Sequence, residues 1–210
     1  MIKNCYTYYE KIDLIENDPS RNHSQWDLIN LCAESWRKHG WNLIVISEEH
    51  ATSHPFYEQY KNFVLRLPTV NPSNYDYHCF MRWLAMANLG GGIMIDYDVL
   101  NLGLEDHKFF EHPELTVYQG HIPCVVSGTS KQYLDIAIRF SELENCDECF
   151  EFYNDKKHTS DMLMLVTGKV PFKKLNLVAL FPEVSELVHV SHNSTQNKTK
   201  FEAMKSLMGY

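Results

Sequence analysis

Asp96 and Asp98 stand two residues apart, directly after the short apolar run Ile93-Met94-Ile95. In an extended chain, residues i and i+2 point to the same side. Two carboxylates placed this way at the end of a buried strand are costly unless something cationic meets them. The spacing lets both converge, directly or through water, on one hard divalent cation, Mn²⁺ or Mg²⁺, whose preferred ligands are oxygens. Gly90-Gly91-Gly92 precede the run. They suit a helix end and a tight turn, because glycine accepts positive φ, and they let another segment or a ligand approach the backbone.

Three further groups carry candidate chemistry. Glu186 to Ser194 reads as an apolar strand that ends in His189 and His192. Each reads as a polar strand edge or a hydrogen-bonded histidine, and at a spacing of three only one need face a given side. Thr159-Ser160-Asp161 opens an apolar helical run, as an N-cap with an acid in its first turn or as a functional carboxylate. Cys146-Asp147-Glu148-Cys149 is a lone CxxC without a second pair, and it predicts neither zinc nor redox chemistry.

The elements that must position these groups follow from periodicity. A first strand over residues 1–9 ends near Tyr6, Tyr8 and Tyr9, and a loop follows at Asp18-Pro19-Ser20. An amphipathic helix runs from Gln25 to Arg37 and stops near Gly40. Trp41 to Ile46 is a buried strand, so the chain opens as strand, helix, strand, the signature of a parallel α/β unit. Helices are predicted near Pro55–Lys61 and over Tyr75–Asn88, the latter leading through the glycines into the aspartate strand. Leu115–Gln119 and Pro123–Ser127 read as strands and Gly128–Leu143 as a helix. A helix over Ser160–Val166 ends near Gly168. Late strands at Leu175–Leu180 and Leu187–Val190 precede a C-terminal helix over Asn197–Met208. Residues 101–113 read as connecting chain.

Composition narrows the class. The chain has 210 residues, enough for a single substantial domain over 1–210, with 44% hydrophobic and 22% charged residues as in ordinary globular proteins. A net charge of −8 excludes nucleic acid or an anionic membrane as the main partner. No run is long enough to be a transmembrane segment. The chain begins without an apolar signal core, and its six scattered cysteines read as reduced thiols, so a cytoplasmic location is expected.

The stretch from Arg82 to Val99 resembles a known family. Arg82, Leu84, Gly91-Gly92-Ile93, Ile95 and Asp96-Tyr97-Asp98-Val99 are similar to the sugar-binding region of DXD-containing glycosyltransferases. That group includes yeast α-1,6-mannosyltransferases and the catalytic domains of clostridial glucosylating toxins. The close match covers about a tenth of the chain. It implies a GT-A-like α/β/α sandwich with a mostly parallel central sheet. It also implies a metal-dependent hexosyltransferase that moves a hexose from a UDP- or GDP-sugar to an acceptor hydroxyl with retention of configuration. The acceptor class (glycan, lipid, protein or small molecule) stays open.

By this resemblance Asp98 would bind the divalent cation and Asp96 would contact the donor ribose or sugar. Arg82 would support the donor sugar or diphosphate. His189, first, or His192, second, would be the late metal ligand. Asp161 is the candidate catalytic carboxylate on the acceptor side, and Val126-Ser127-Gly128 the candidate acceptor pocket. Tyr6 and Tyr8, at the first strand's end, would flank the base or belong to the core. Relatives commonly carry an acid three residues before the arginine, where this chain has Cys79. Asp76 lies nearly two helical turns before Arg82, too far for a simple substitute. The competing readings are a phosphatase of the haloacid dehalogenase class, which also ends a strand in DxD, and a non-catalytic nucleotide-sugar-binding module.

Overall fold

In the computed structural model, residues 3–12, 23–71, 74–167, 170–195 and 198–210 are described. Asp18-Pro19-Ser20 and Gly168 lie outside them.

The opening unit is β1 (Lys3–Tyr8), α1 (Gln25–Lys38) and β2 (Trp41–Ile46), with β1 and β2 parallel. Helix α1 starts at a reciprocal cap. The Ser24 side chain accepts from Asp27 N, and Asp27 accepts from Ser24 N, which satisfies two donors that a helix start otherwise leaves open. Helices α2 (Tyr57–Val64) and α3 (Tyr75–Asn88) follow. The chain then turns through Gly90, Gly91 and Gly92, all at positive φ (+97°, +85° and +120°), into β3 (Gly91–Ile95). A side chain at Gly91 would meet the backbone of Gly128, Thr129 and Ser130 at 2.5 Å, so two backbones cross there at a distance only glycine permits.

After Asp96-Tyr97-Asp98 comes β4 (Val99–Asn101), a strand that periodicity does not predict and whose last residue reads as the start of connecting chain. Strands β5 (Thr116–Gln119) and β6 (Ile122–Thr129) lead to α4 (Ser130–Glu142). A small hairpin of β7 (Glu151–Tyr153) and β8 (Lys156–His158), also unpredicted, precedes α5 (Asp161–Val166). The chain closes with β9 (Lys173–Lys174), β10 (Val178–Leu180), β11 (Leu187–His189) and α6 (Lys200–Leu207).

The central sheet has the order β2-β1-β3-β6-β5-β9. Only β6 runs against the other five, so the sheet is mostly parallel, as expected. One face carries α2, α3, α4 and α5 over a core that includes Trp83, Phe80, Tyr133 and Phe140. The other carries α1, α6 and a second sheet, β10-β11-β4, over a core that includes Trp36, Trp41 and Tyr118. The chain is thus an α/β/α sandwich. All six cysteines are free thiols. Among the described residues, no helix is long and apolar enough to cross a membrane.

Candidate metal and donor site

Parallel strands β1, β2 and β3 all end at one edge of the sheet, the edge where α/β proteins bind ligands. Asp96 and Asp98 sit there, in a tight turn closed by Val99 N donating to Asp96 O at 3.0 Å. Trp36 Nε1, from α1, donates to Val99 O at 2.9 Å and fixes the exit of the turn. Strand β11 pairs antiparallel with β4, His189 opposite Val99, and Val190 N donates to Asp98 O at 2.9 Å. One ladder therefore brings His189 beside Asp98. Asp96, Asp98 and His189 offer ligand atoms that all lie within 4.8 Å of one another. Hard divalent cations bind ligands at about 2.0–2.6 Å, so a single ion can reach all three.

The donor set fits such an ion. Asp98 Oδ1 is buried and has no hydrogen-bond partner, and the atom facing it is His189 Nε2 at 3.6 Å. His189 Nδ1 lies 2.7 Å from Gln119 Oε1, an acceptor, so the ring proton belongs on Nδ1 and a lone pair on Nε2. A carboxylate oxygen and an imidazole lone pair that face each other in a buried place are an arrangement a cation resolves.

Positive groups flank the cluster. Lys200, at the start of α6, donates to Asp98 Oδ2 at 2.5 Å. Burial opposes ionisation of Asp98, but the charge and hydrogen bond of Lys200 hold its carboxyl below the usual carboxylate range. For Asp96, burial dominates and raises the carboxyl despite Arg82, with Asp98 adding to the rise. Arg82 Nη1 donates to Asp96 Oδ1 at 2.6 Å. Its other side is fixed by Asp161, whose Oδ2 accepts from Arg82 Nη2 at 2.7 Å, Arg82 Nε at 3.2 Å and Trp83 Nε1 at 3.0 Å.

The structure therefore brings together Arg82, Asp96, Asp98, His189 and Asp161. Asp161 is only 3% exposed, and its oxygens face Arg82, Trp83 and the backbone of Met162. That is the setting of a group that holds Arg82 in place. His192 is exposed, in the turn after β11, and stands outside the metal cluster. Tyr6 packs its ring over Gly92, where a Cβ would come within 3.2 Å of it, which puts it toward the far end of β3 from the aspartates. Tyr8 lies at the strand end, in contact with His78 Nδ1 at 3.4 Å through its hydroxyl. The aromatic group beside the aspartates is instead Tyr9, Trp26 and Tyr97. Tyr9 meets the other two edge-on at 5.2 and 6.2 Å, and Trp26 is 49% exposed.

Ser127 and Gly128 lie away from the aspartates. Strand β6 runs antiparallel to β3, pairing Gly128 with Gly92 and Val125 with Ile95. Both residues therefore sit at the opposite end of β3 from Asp96, on a cleft of about 620 Å³ shared with Lys3, Trp41 and Phe110. Asp76 does not replace the acid missing at Cys79. It accepts from Thr69 and from Asn71 Nδ2 and pins the loop before α3. Sequence reading missed Gln119 and Lys200. Lys200 follows the helix cap at Thr199, an ordinary place for a solvent-facing residue, and only the fold turns it inward.

A search of curated proteins finds no match to this chain. Among solved structures, the crystal structure of a glycosyltransferase involved in the glycosylation of the major capsid of PBCV-1 aligns at 12% identity. The alignment covers 99% of this chain and 100% of that one, with a TM-score of 0.47. At that score the likeness carries no argument about fold or activity. Residues 2–167 match the profile described as "Domain of unknown function (DUF8765)", a span that includes Arg82, Asp96, Asp98 and Asp161 and ends before His189. The chain belongs to the DUF8765 family.

Proposed function

We propose that this chain is a metal-dependent glycosyltransferase that moves a hexose from a UDP- or GDP-sugar to an acceptor hydroxyl. The observation that carries the reading is the convergence of Asp96, Asp98 and His189 at the carboxyl edge of the sheet. Within that cluster Asp98 Oδ1 is buried and unpartnered. The resemblance of the Arg82–Val99 stretch to the DXD sugar-binding region supplies the substrate class.

In this reading the acceptor oxygen bonds the anomeric carbon as that carbon's bond to the β-phosphate oxygen breaks, the hydroxyl proton passes to the departing diphosphate, and negative charge grows on that leaving group. Asp96, Asp98 and His189 would hold a divalent cation, Mn²⁺ or Mg²⁺, which when bound stabilises that charge as a Lewis acid. Lys200 sets a second positive charge at the same place. Arg82, fixed by Asp161, holds Asp96 in turn at 2.6 Å and so keeps that carboxylate in a fixed orientation for the donor. Asp96, with 35% of its side chain exposed, accepts from donor hydroxyls. Trp26 and Tyr9 offer an aromatic platform for the base.

The test is a panel of nucleotide-sugars incubated with the protein and Mn²⁺, reading released nucleoside diphosphate. Slow hydrolysis of one donor, lost in Asp98→Ala, is the expected result. Phosphate release from phosphomonoesters would instead indicate a phosphatase. Tight donor binding without turnover across candidate acceptors would indicate a binding module. Failure of every donor to bind or react would end the proposal.

A further inference from the structure

Gln119 belongs to none of the groups that touch a donor, yet its side chain is held in one orientation. It closes β5, where the β5–β6 ladder slips register between Val117 and Gln119. Gly120, at φ +63°, turns the chain immediately afterwards, and its N–H donates to Leu175 O at 2.7 Å. Gln119 also makes an isolated backbone pairing with Asn176. The irregular ladder re-aims the side chain, as such slips commonly do beside functional sites. Its Oε1 receives two contacts, His189 Nδ1 at 2.7 Å and Cys124 Sγ at 3.0 Å.

We infer that Gln119 is a positioning residue that holds His189 with its proton on Nδ1, so that the Nε2 lone pair is presented to a divalent cation shared with Asp98. The cation half of this inference rests on the metal site proposed above. The tautomer half does not. An amide oxygen only accepts, so the imidazole must donate to it. The opposite tautomer would place a proton between Nε2 and Asp98 Oδ1, but their 3.6 Å separation is too long for that hydrogen bond. It would also turn the amide NH₂ toward a thiol, a weak acceptor. A neighbour that fixes the ring and its tautomer is what metal-bound histidines commonly have, and removing one typically weakens metal binding about 10–100-fold.

The test uses the full chain, ¹⁵N-labelled and metal-free. Long-range ¹H–¹⁵N spectra, with His189 assigned by loss of its signals in His189→Gln, should show a protonated Nδ1 and a bare Nε2. Gln119→Leu should lose that preference and bind Mn²⁺, read by electron paramagnetic resonance, about 10–100-fold more weakly. Gln119→Glu, which can still accept from Nδ1, should restore the tautomer. A protonated Nε2 in the wild-type protein would overturn the assignment without any variant having to fold. So would unchanged Mn²⁺ affinity in a folded Gln119→Leu. A wild-type protein with the expected tautomer but no Mn²⁺ binding would overturn the metal site and the cation half of the inference together.

Discussion

Replacing Asp161 with alanine tests whether this carboxylate holds Arg82 or acts on the acceptor. The two side chains are 5% and 9% exposed. The substitution removes two donor contacts from Arg82 and leaves Trp83 Nε1 without its acceptor. Breaking a buried ion pair by deleting one partner costs about 3–5 kcal/mol. Arg82 keeps Asp96 at 2.6 Å, which favours the lower end, while the stranded indole N–H pushes the total up by about 1–3 kcal/mol. A loss of about 4 kcal/mol is expected in urea unfolding, or roughly 8–16 °C in melting temperature for a chain of this size. Asp161→Asn keeps an acceptor for Trp83 and loses only the charge, so it should fall between wild type and alanine. In donor binding, Asp161→Asn should weaken affinity, because Arg82 is less well held. A carboxylate acting directly on the acceptor would leave donor affinity alone and lower only the rate. A melting shift for Asp161→Ala equivalent to less than about 1 kcal/mol would refute the buried-pair account.

Three more outcomes follow from the geometry. Lys200→Ala should let Mn²⁺ alone bind about 10-fold more tightly, since a charge-assisted hydrogen bond to Asp98 of about 1.5–3 kcal/mol no longer competes, while donor diphosphate binds less well; weaker Mn²⁺ binding in a calorimetric titration would contradict this. Glu48 accepts from the Tyr57 and Tyr77 hydroxyls and from Lys61 at 3.2 Å. Burial raises its carboxyl, but those donors outweigh burial and hold it below its ordinary value of 4.5. Its stabilisation is therefore complete above that value and lost as pH falls through the lowered one, and Glu48→Gln should cost about 1 kcal/mol near neutrality and progressively less at acid pH. An equal cost in urea unfolding at neutral and acid pH would rule that out. Gly91→Ala should cost more than about 3 kcal/mol, because overpacking against three backbone atoms at 2.5 Å adds to the cost of a left-handed residue. Gly90→Ala, with open space around it, should cost only the roughly 1–2 kcal/mol of a left-handed residue. Equal melting temperatures for these two variants would count against the backbone crossing.

The legible part of the sequence was local. Tyr75–Asn88 and Trp41–Ile46 fold over the residues their periodicity marks, because an apolar stripe or run reports burial directly. Asp96 and Asp98 were readable because strand spacing alone puts i and i+2 on one side. The less legible parts depend on direction and register. Nothing in Pro123–Ser127 states that β6 runs antiparallel to β3, and that reversal is what carries Ser127 and Gly128 to the far end of the sheet. Tyr6 and Tyr8 share a strand face with each other, and that face packs on the α3 side, while Tyr9 just beyond the strand meets Trp26 and Tyr97. Gln119 meets His189 only because the irregular end of β5 and its single bridge to Asn176 place residues 70 apart in contact. Strand β4, three residues long, is too short for periodicity to register.

Strand β4 has a consequence for how the molecule unfolds. It leaves the aspartate turn and enters a ladder with β11, and the chain after β11 folds back to set Lys200 on Asp98. Beside the packing of α6 on the core, the segment from β11 onward therefore meets the aspartate turn at the cation site itself. A ligand that binds only the native arrangement stabilises it by RT ln(1 + [L]/Kd). Ion binding to Asp96, Asp98 and His189 would direct that free energy to fastening β11 to the aspartate turn. Amide hydrogens of 187–189 should then exchange more slowly when Mn²⁺ is present, while those of α4 keep the same rate.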